Sequence, residues 1–274
     1  MRTHAQAVVI GGGVVGCSVL YHLAKFGWTD VVLLERDELT SGSTWHAAGG
    51  MHTINGDPNV AKLQKYTIDL YKEIEELSGE PTSLHLTGGV LLAATQARFD
   101  WLKGVVAKGR YLGIEAKIIT PERAHELMQL LDPSCFVGAL ETVVDGHLDP
   151  SGTTRAYAKA ARKLGAGIER FTKVEELIQL PDRTWRVITN KGEIRTPHVV
   201  NAGGLWAREI GRMVGREHPV LAMEHMYLIT EDMPEVAAIN RSTGKEVLHA
   251  IDFDGADQML ILIGFRSPAC ASDY

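Results

Sequence analysis

Hydrophobic and polar positions along the chain fall into two rhythms, short unbroken apolar runs and longer stretches at helical spacing. Ala7–Ile10 is an apolar run that ends in glycines, as a strand buried on both faces does. Residues 14–26 follow with Leu20, Leu23 and Ala24 on one side, and Gly27 as the stop. Val31–Leu34 is a second apolar run, closed by Glu35. Strand, glycine turn, helix and strand within about 30 residues predict a βαβ unit, the crossover that builds a parallel sheet.

Further along, residues 35–57 read as one long loop rich in Gly, Ser and Thr, and a loop of that length inside a compact domain is usually functional. Asp57-Pro58 supplies an N-cap and a first-turn proline for a helix to about residue 77. Strands are predicted over 89–94 and 116–119, and helices over 96–112 and 121–131. Asp149-Pro150 repeats the cap and opens a helix that ends at Gly165. A hairpin is predicted over 185–189 and 193–196, turning at Asn190-Lys191-Gly192, followed by a buried strand at 199–202 and a helix at 205–214. No repeat, low-complexity tract or composition break marks a linker. The expected fold is therefore α/β, one domain over residues 1–274 with two interleaved lobes. A Rossmann-type nucleotide lobe takes about 5–50 and 150–215, and an α+β substrate lobe with a mostly antiparallel sheet takes about 80–145 and 216–274.

Composition narrows the function. The net charge of -6, with Lys and Arg scattered, offers neither a nucleic-acid footprint nor an anionic-membrane patch. Cys17, Cys135 and Cys270 show no metal spacing and no disulfide framework, which fits a reduced interior. Residues 1–6 are too few for a signal or transit peptide, and the longest apolar run, 259–265, is far too short to span a bilayer. A cytoplasmic protein with no membrane and no nucleic-acid partner is the expectation.

Gly11-Gly12-Gly13-Val14-Val15-Gly16 sets glycines at the first, third and sixth positions of a dinucleotide fingerprint. Gly11 permits the tight turn, Gly13 lets the backbone approach a pyrophosphate, and Gly16 lets the helix close on the strand. The helix N-terminus then offers free N–H groups to phosphate. Glu35 lies 19 residues after Gly16, where an acid binds a ribose hydroxyl. A glycine turn without ligand is the bland alternative, and the strand before it and helix after it weigh against that. The second stretch is Ser41-Gly42-Ser43-Thr44-Trp45-His46-Ala47-Ala48-Gly49-Gly50, where small residues allow close approach and hydroxyls suit phosphate. By itself His46 reads as a satisfied structural histidine as readily as a reactive one.

"LTSGSTWHAAG" resembles the segment of the dimethylglycine and sarcosine dehydrogenase group, FAD-dependent amine oxidoreductases of the D-amino-acid oxidase superfamily. "YHLAKFGWTDVVLLER", "VDGHLDP", "VVNAGGLWAREIGRMVG" and "EHPVLAMEHMYLITED" extend the likeness over about residues 5–255. The resemblance implies FAD, attached covalently through His46. It also implies cofactor contacts at Val14, Val15, Glu35 and Arg36, at Gly42, Ser43, Thr44, Trp45, Ala47, Ala48, Gly49 and Gly50, and at Val174 and Trp206. It places His225, in Glu224-His225-Met226-Tyr227, as the catalytic histidine, with Tyr227 beside it; a buried structural histidine is the alternative. His147 and Asp149 read as turn and helix-cap residues. The implied reaction is oxidative N-demethylation of a small N-methyl amino acid, dimethylglycine first and sarcosine second, with electrons passed to a carrier protein.

Beyond Gly255 the likeness fades. Relatives carry an aromatic-rich strand with a substrate-site tyrosine there, whereas this chain has none before Tyr274. On this reading the chain is a C-terminally truncated member without the segment that returns to the nucleotide lobe. The competing reading of another class is an inactive flavoprotein fragment. A nicotinamide enzyme is disfavoured, because it has no need of the Trp45-His46 loop.

Overall fold

The computed structural model describes residues 2–55, 57–224, 231–244, 249–252 and 260–262. In chain order the elements begin with β1 (Ala7–Ile10), α1 (Val14–Lys25), β2 (Val31–Leu34), a 3-10 turn at Ser43–His46 and β3 (Gly50–Met51). Then come α2 (Pro58–Ser78), β4 (Gly89–Ala93), α3 (Gln96–Tyr111), β5 (Ala116–Ile119), α4 (Pro121–Leu127), β6 (Gly138–Thr142) and β7 (Gly146–His147). The remainder is α5 (Pro150–Lys163), β8 (Gly167–Glu169), β9 (Val174–Gln179), β10 (Trp185–Thr189), β11 (Gly192–Thr196), β12 (His198–Asn201), α6 (Ala207–Arg212), α7 (Pro234–Thr243), β13 (His249–Asp252) and β14 (Leu260–Leu262). Among the described residues no helix is long and apolar enough to cross a membrane.

The chain divides into two compact units, the first made of Met1–Ala48, Tyr71–Ser83 and Asp149–Met226. In it a parallel sheet runs in the order β12-β1-β2-β8, with Val9 beside Val200 and Leu33, and Leu34 beside Glu169. The antiparallel sheet β11-β10-β9 packs on one face of it. Val8, Ile10, Val32 and Leu34 meet Val174, Leu177, Val187 and Ile194 there in one buried cluster. The alternation of the pleat turns Ala7 and Val9 the other way, toward α1. Gly16, Cys17, Leu20, Tyr21 and Ala24 form the buried stripe of α1, and α1 packs on α5 through the latter's small residues Ala156, Ala160 and Ala161. Asp149 caps α5 by accepting from the Ser151 and Gly152 N–H groups, each at 2.8 Å.

The second unit comprises Gly49–Leu70, Leu84–Leu148 and Tyr227–Tyr274. Its sheet runs β14-β13-β4-β6-β5; β4 and β13 are parallel and the other neighbours antiparallel. Leu91, Ala93 and Leu140 point to one face, packed by Leu102, Val105 and Val106 of α3. Val90 and Ala139 point to the other, where Ala124, Met128, Leu131 and Phe136 cover them. The short ladder β3–β7 pairs Gly50 with His147 and Met51 with Gly146.

Several elements differ from expectation. The helix predicted over 121–131 stops at Leu127, because Met128 turns extended and buries itself with Leu131 and Phe136 in that second cluster. The helix predicted over 205–214 is a 3-10 turn at Gly204–Trp206 followed by α6. The stretch from Glu35 to Asp57 is not wholly irregular, since it contains the Ser43–His46 turn and β3. Strands β6, β7, β8, β13 and β14 and helix α7 went unpredicted, and His147, expected in a turn, lies in β7; β8 is only three residues long and half-buried, too brief for a period to show.

Candidate functional site

The first unit gathers most of the sequence-predicted site residues at the carboxyl ends of β1, β2 and β12. Ligands of doubly wound sheets bind at such strand ends. β1 runs into Gly11, whose φ of +114° lies in a region that L side chains rarely adopt. A Cβ on Gly11 would strike the Ala202 carbonyl, and one on Gly16 would strike the Gly11 carbonyl, so α1 begins directly against the end of the sheet. Its N-cap, Gly13, has no side chain to satisfy the first N–H groups. Val14 N–H is met instead by Thr44 Oγ1 at 3.0 Å, and a Cβ on Gly13 would lie 3.1 Å from that same oxygen. Val15, in the first turn, is exposed.

Glu35 ends β2 and is buried. Its Oε2 accepts the Gly12 N–H at 2.6 Å and its Oε1 the Asp37 N–H at 2.8 Å. Each carboxylate oxygen offers two lone-pair sites, so both retain capacity for further donors such as ribose hydroxyls. The glycine turn and Glu35 are thereby one hydrogen-bonded unit, to which Thr40 adds an N–H to the Gly12 carbonyl at 3.0 Å. Arg36 lays its guanidinium 3.8 Å from the centroid of the Trp206 ring, and a Cβ on Gly42 would meet that same ring at 3.5 Å. Arg36, Gly42 and Trp206, remote in sequence, therefore share one place.

The Ser43–His46 turn buries none of its residues. Trp45 and His46 lie ring to ring with centroids 3.7 Å apart. His46 Nδ1 is 3.3 Å from the Gly42 carbonyl oxygen, an acceptor, so Nδ1 is the donor in that contact and Nε2 takes no part in it. Ala47 and Ala48 continue the exposed stretch. Gly49 and Gly50 belong to the second unit, where the Gly49 carbonyl accepts the Leu148 N–H at 3.0 Å.

Val174 stands apart from these. Its side chain is buried in the cluster between the two sheets, so only its main chain could face a ligand. His225 and Tyr227 lie outside the described residues. Asp149 is the helix cap that the sequence suggested, and His147 is buried in β7, its ring stacked on His85 at 5.0 Å. No group of His, Cys, Asp and Glu among the described residues could hold a metal ion.

Sequence reasoning missed two features. One is the Thr44 hydroxyl as a cap for α1, a contact across 30 residues that no local signal announces. The other is Phe171, two residues past β8, with φ at +55° and half of its surface exposed. A bulky residue there is a backbone outlier that costs about 1–3 kcal/mol and persists only where neighbours enforce it.

Among the described residues of the second unit the most enclosed acid is Asp145. Its Oδ1 accepts the Thr53 N–H and the Thr53 hydroxyl, each at 2.8 Å, and His52 Nδ1 lies 3.4 Å from Oδ2. Burial raises its pKa, but hydrogen bonds from His52, Thr142 and Thr53 and the charge of His52 outweigh that, and the net direction is downward.

Comparison with known proteins identifies the family of the chain. Residues 6–265 match the sequence model of the family described as DAO, FAD dependent oxidoreductase. Mitochondrial dimethylglycine dehydrogenase of Mus musculus is 42% identical over 240 residues, which cover 88% of this chain and 28% of that protein. Mitochondrial sarcosine dehydrogenase of Homo sapiens is 38% identical over 233 residues, covering 83% of this chain and 25% of the relative. This chain thus spans about a quarter of the length of those relatives. Among solved structures, L-proline dehydrogenase from P. horikoshii superposes with a TM-score of 0.80 at 28% identity, over 95% of this chain and 67% of that one.

Proposed function

The chain belongs to the DAO family of FAD-dependent oxidoreductases, and from that premise we propose that it is the FAD-binding part of an enzyme that oxidatively demethylates a small N-methyl amino acid. Dimethylglycine is the first substrate we propose and sarcosine the second, in the order of the relatives' identities, 42% and 38%. The observation that carries the reading is the single hydrogen-bonded assembly of the glycine turn, Glu35 and Thr44 at the strand ends.

The residues present fit a dinucleotide. The first turn of α1, with no cap from Gly13, offers N–H groups and the positive dipole end to a pyrophosphate. Glu35 retains lone pairs for a ribose. Arg36, stacked on Trp206, sets a fixed positive charge beside the phosphate path. Gly42, Ser43, Thr44, Ala47 and Ala48 present main-chain groups and small side chains, as the close approach of a flat ring requires. FAD, when bound, supplies the two-electron acceptor for oxidation of the amine. His46, with Nδ1 against the Gly42 carbonyl, leaves Nε2 as the nitrogen that would hold the flavin covalently. An amine substrate must lose its ammonium proton before its C–H bond can be oxidised, and we assign His225 to that neighbourhood. A carrier protein as electron acceptor and a cytoplasmic location belong to the same proposal.

The test is purified protein denatured in acid and run on a gel imaged for flavin fluorescence, beside His46→Ala. A fluorescent parent band and a dark variant are expected. Turnover with an acceptor dye is then compared, with dimethylglycine expected to exceed sarcosine. A colourless parent would sink the flavin reading, and a fluorescent His46→Ala band would move the link elsewhere.

A further inference from the structure

The parallel sheet orders its strand ends β1, β2, β8 across the first unit. A pyrophosphate over Gly11 to Gly16 sits at the end of β1, and a ribose at Glu35 sits at the end of β2. The base attached to that ribose then has the end of β8 as its next neighbour, because Leu34 pairs with Glu169. Phe171 lies two residues past the last residue of β8, with half of its surface exposed.

Its backbone is held in the left-handed region from every side. The Phe171 N–H donates to the Asp37 carbonyl at 3.3 Å, and its carbonyl accepts from Asn190 Nδ2 at 3.3 Å. Thr172 N–H donates to the Glu35 carbonyl at 2.8 Å, which joins this turn to the acid at the end of β2. Asn190 Oδ1 also accepts the Lys173 N–H at 2.9 Å, and Lys191 Nζ donates to the Arg170 carbonyl at 2.7 Å. So many restraints enforce a costly conformation that sets a large apolar ring half in solvent, with the Arg170 guanidinium 5.8 Å from its centroid. Burial does not explain the ring, and a glycine or asparagine would fit the backbone better.

We propose that Phe171 forms a wall of the adenine seat, its ring packing on the base of the bound dinucleotide and fixing the adenosine end beside Glu35. This rests on the flavin reading above. Aromatic rings hold bases by stacking whatever the base, so Phe171 sets how tightly the adenosine end is gripped and touches no reacting atom.

Phe171→Asn tests it, since asparagine tolerates positive φ and removes the ring; Phe171→Tyr keeps the ring. Both are made in His46→Ala, so that flavin binding is reversible, and FAD and ADP affinities are measured with the melting temperature. The expected result is affinity for both ligands about tenfold weaker in Phe171→Asn, which is about 1.4 kcal/mol. Melting should be unchanged or higher, and Phe171→Tyr should match the parent. Unchanged FAD and ADP affinity in Phe171→Asn would overturn the proposal. So would a loss that follows a lowered melting temperature and recurs in Phe171→Tyr. A parent that takes ADP but no FAD would remove the flavin reading alone, leaving the Phe171 effect on ADP to decide this one. A parent that binds neither would overturn both.

Discussion

Glu35 and Asp145 are both buried acids that accept main-chain N–H groups, and they sit in units with opposite habits. In the first unit Glu35 takes one N–H on each oxygen at the open end of a strand, with exposed Trp45, His46 and Phe171 on the same unit. In the second unit Asp145 is fully enclosed and spends its acceptors on Thr53, Thr142 and His52. An acid with lone pairs left over at a strand end is equipped to bind. An acid closed on its own chain fastens one segment to another, here the residues after β3 to the approach to β7. Burial alone does not tell the two apart; what remains unbonded does.

The comparison breaks most decisively at Gly16. Gly16→Ala forces a Cβ into the Gly11 carbonyl, where backbone rather than a flexible side chain must yield. A loss of about 3 kcal/mol or more is expected, with flavin content falling alongside melting temperature. A well-folded, flavin-loaded Gly16→Ala protein would refute the close helix–strand contact.

Asp145→Asn should cost about 1–3 kcal/mol without altering the affinity of the first unit for ADP. A change in ADP affinity would erase the distinction between a fastening acid and a binding one. The loss should also depend on pH. The folded Asp145 carboxyl holds its proton less tightly than the unfolded one, so its stabilisation is complete above about pH 4. That stabilisation disappears as pH falls through the lower folded value. The melting difference between parent and variant should therefore shrink in acid, and a gap that widened below pH 4 would contradict the assignment.

The smallest effect concerns thiols. Burial, with the charge of Glu35 adding to it, pushes the Cys17 thiol up to about 12. Cys135 is exposed. Labelling at neutral pH followed by peptide mass mapping should mark Cys135 and leave Cys17 unmodified until the protein is denatured. Native labelling of Cys17 would mean that the core behind the glycine turn opens readily.

Much of this was legible locally. The run Ala7–Ile10, the glycine turn, the stripe of α1 and the stop at Gly27 form a pattern complete within thirty residues, and the structure follows it. Asp57 and Asp149 cap their helices as their Asp-Pro pairs indicated, because a cap is decided by the two or three residues beside it. The helix that ends at Leu127 was overestimated, because its end was set by what Met128 could bury. Phe171 carried no signal in a residue list; its meaning lies in a dihedral angle and in partners at Asp37 and Asn190.

The sequence by itself determined the βαβ unit, the residue types at the glycine turn, the acid at the end of β2 and the unusual Trp-His loop, since each depends on neighbours within a few turns of chain. Only the tertiary structure decided that Thr44 caps α1, that Arg36 lies on Trp206, that Val174 is core and that Asp145 closes on Thr53. Those contacts join residues 30 to more than 150 positions apart, where periodicity and capping rules carry no information and packing alone selects the partner.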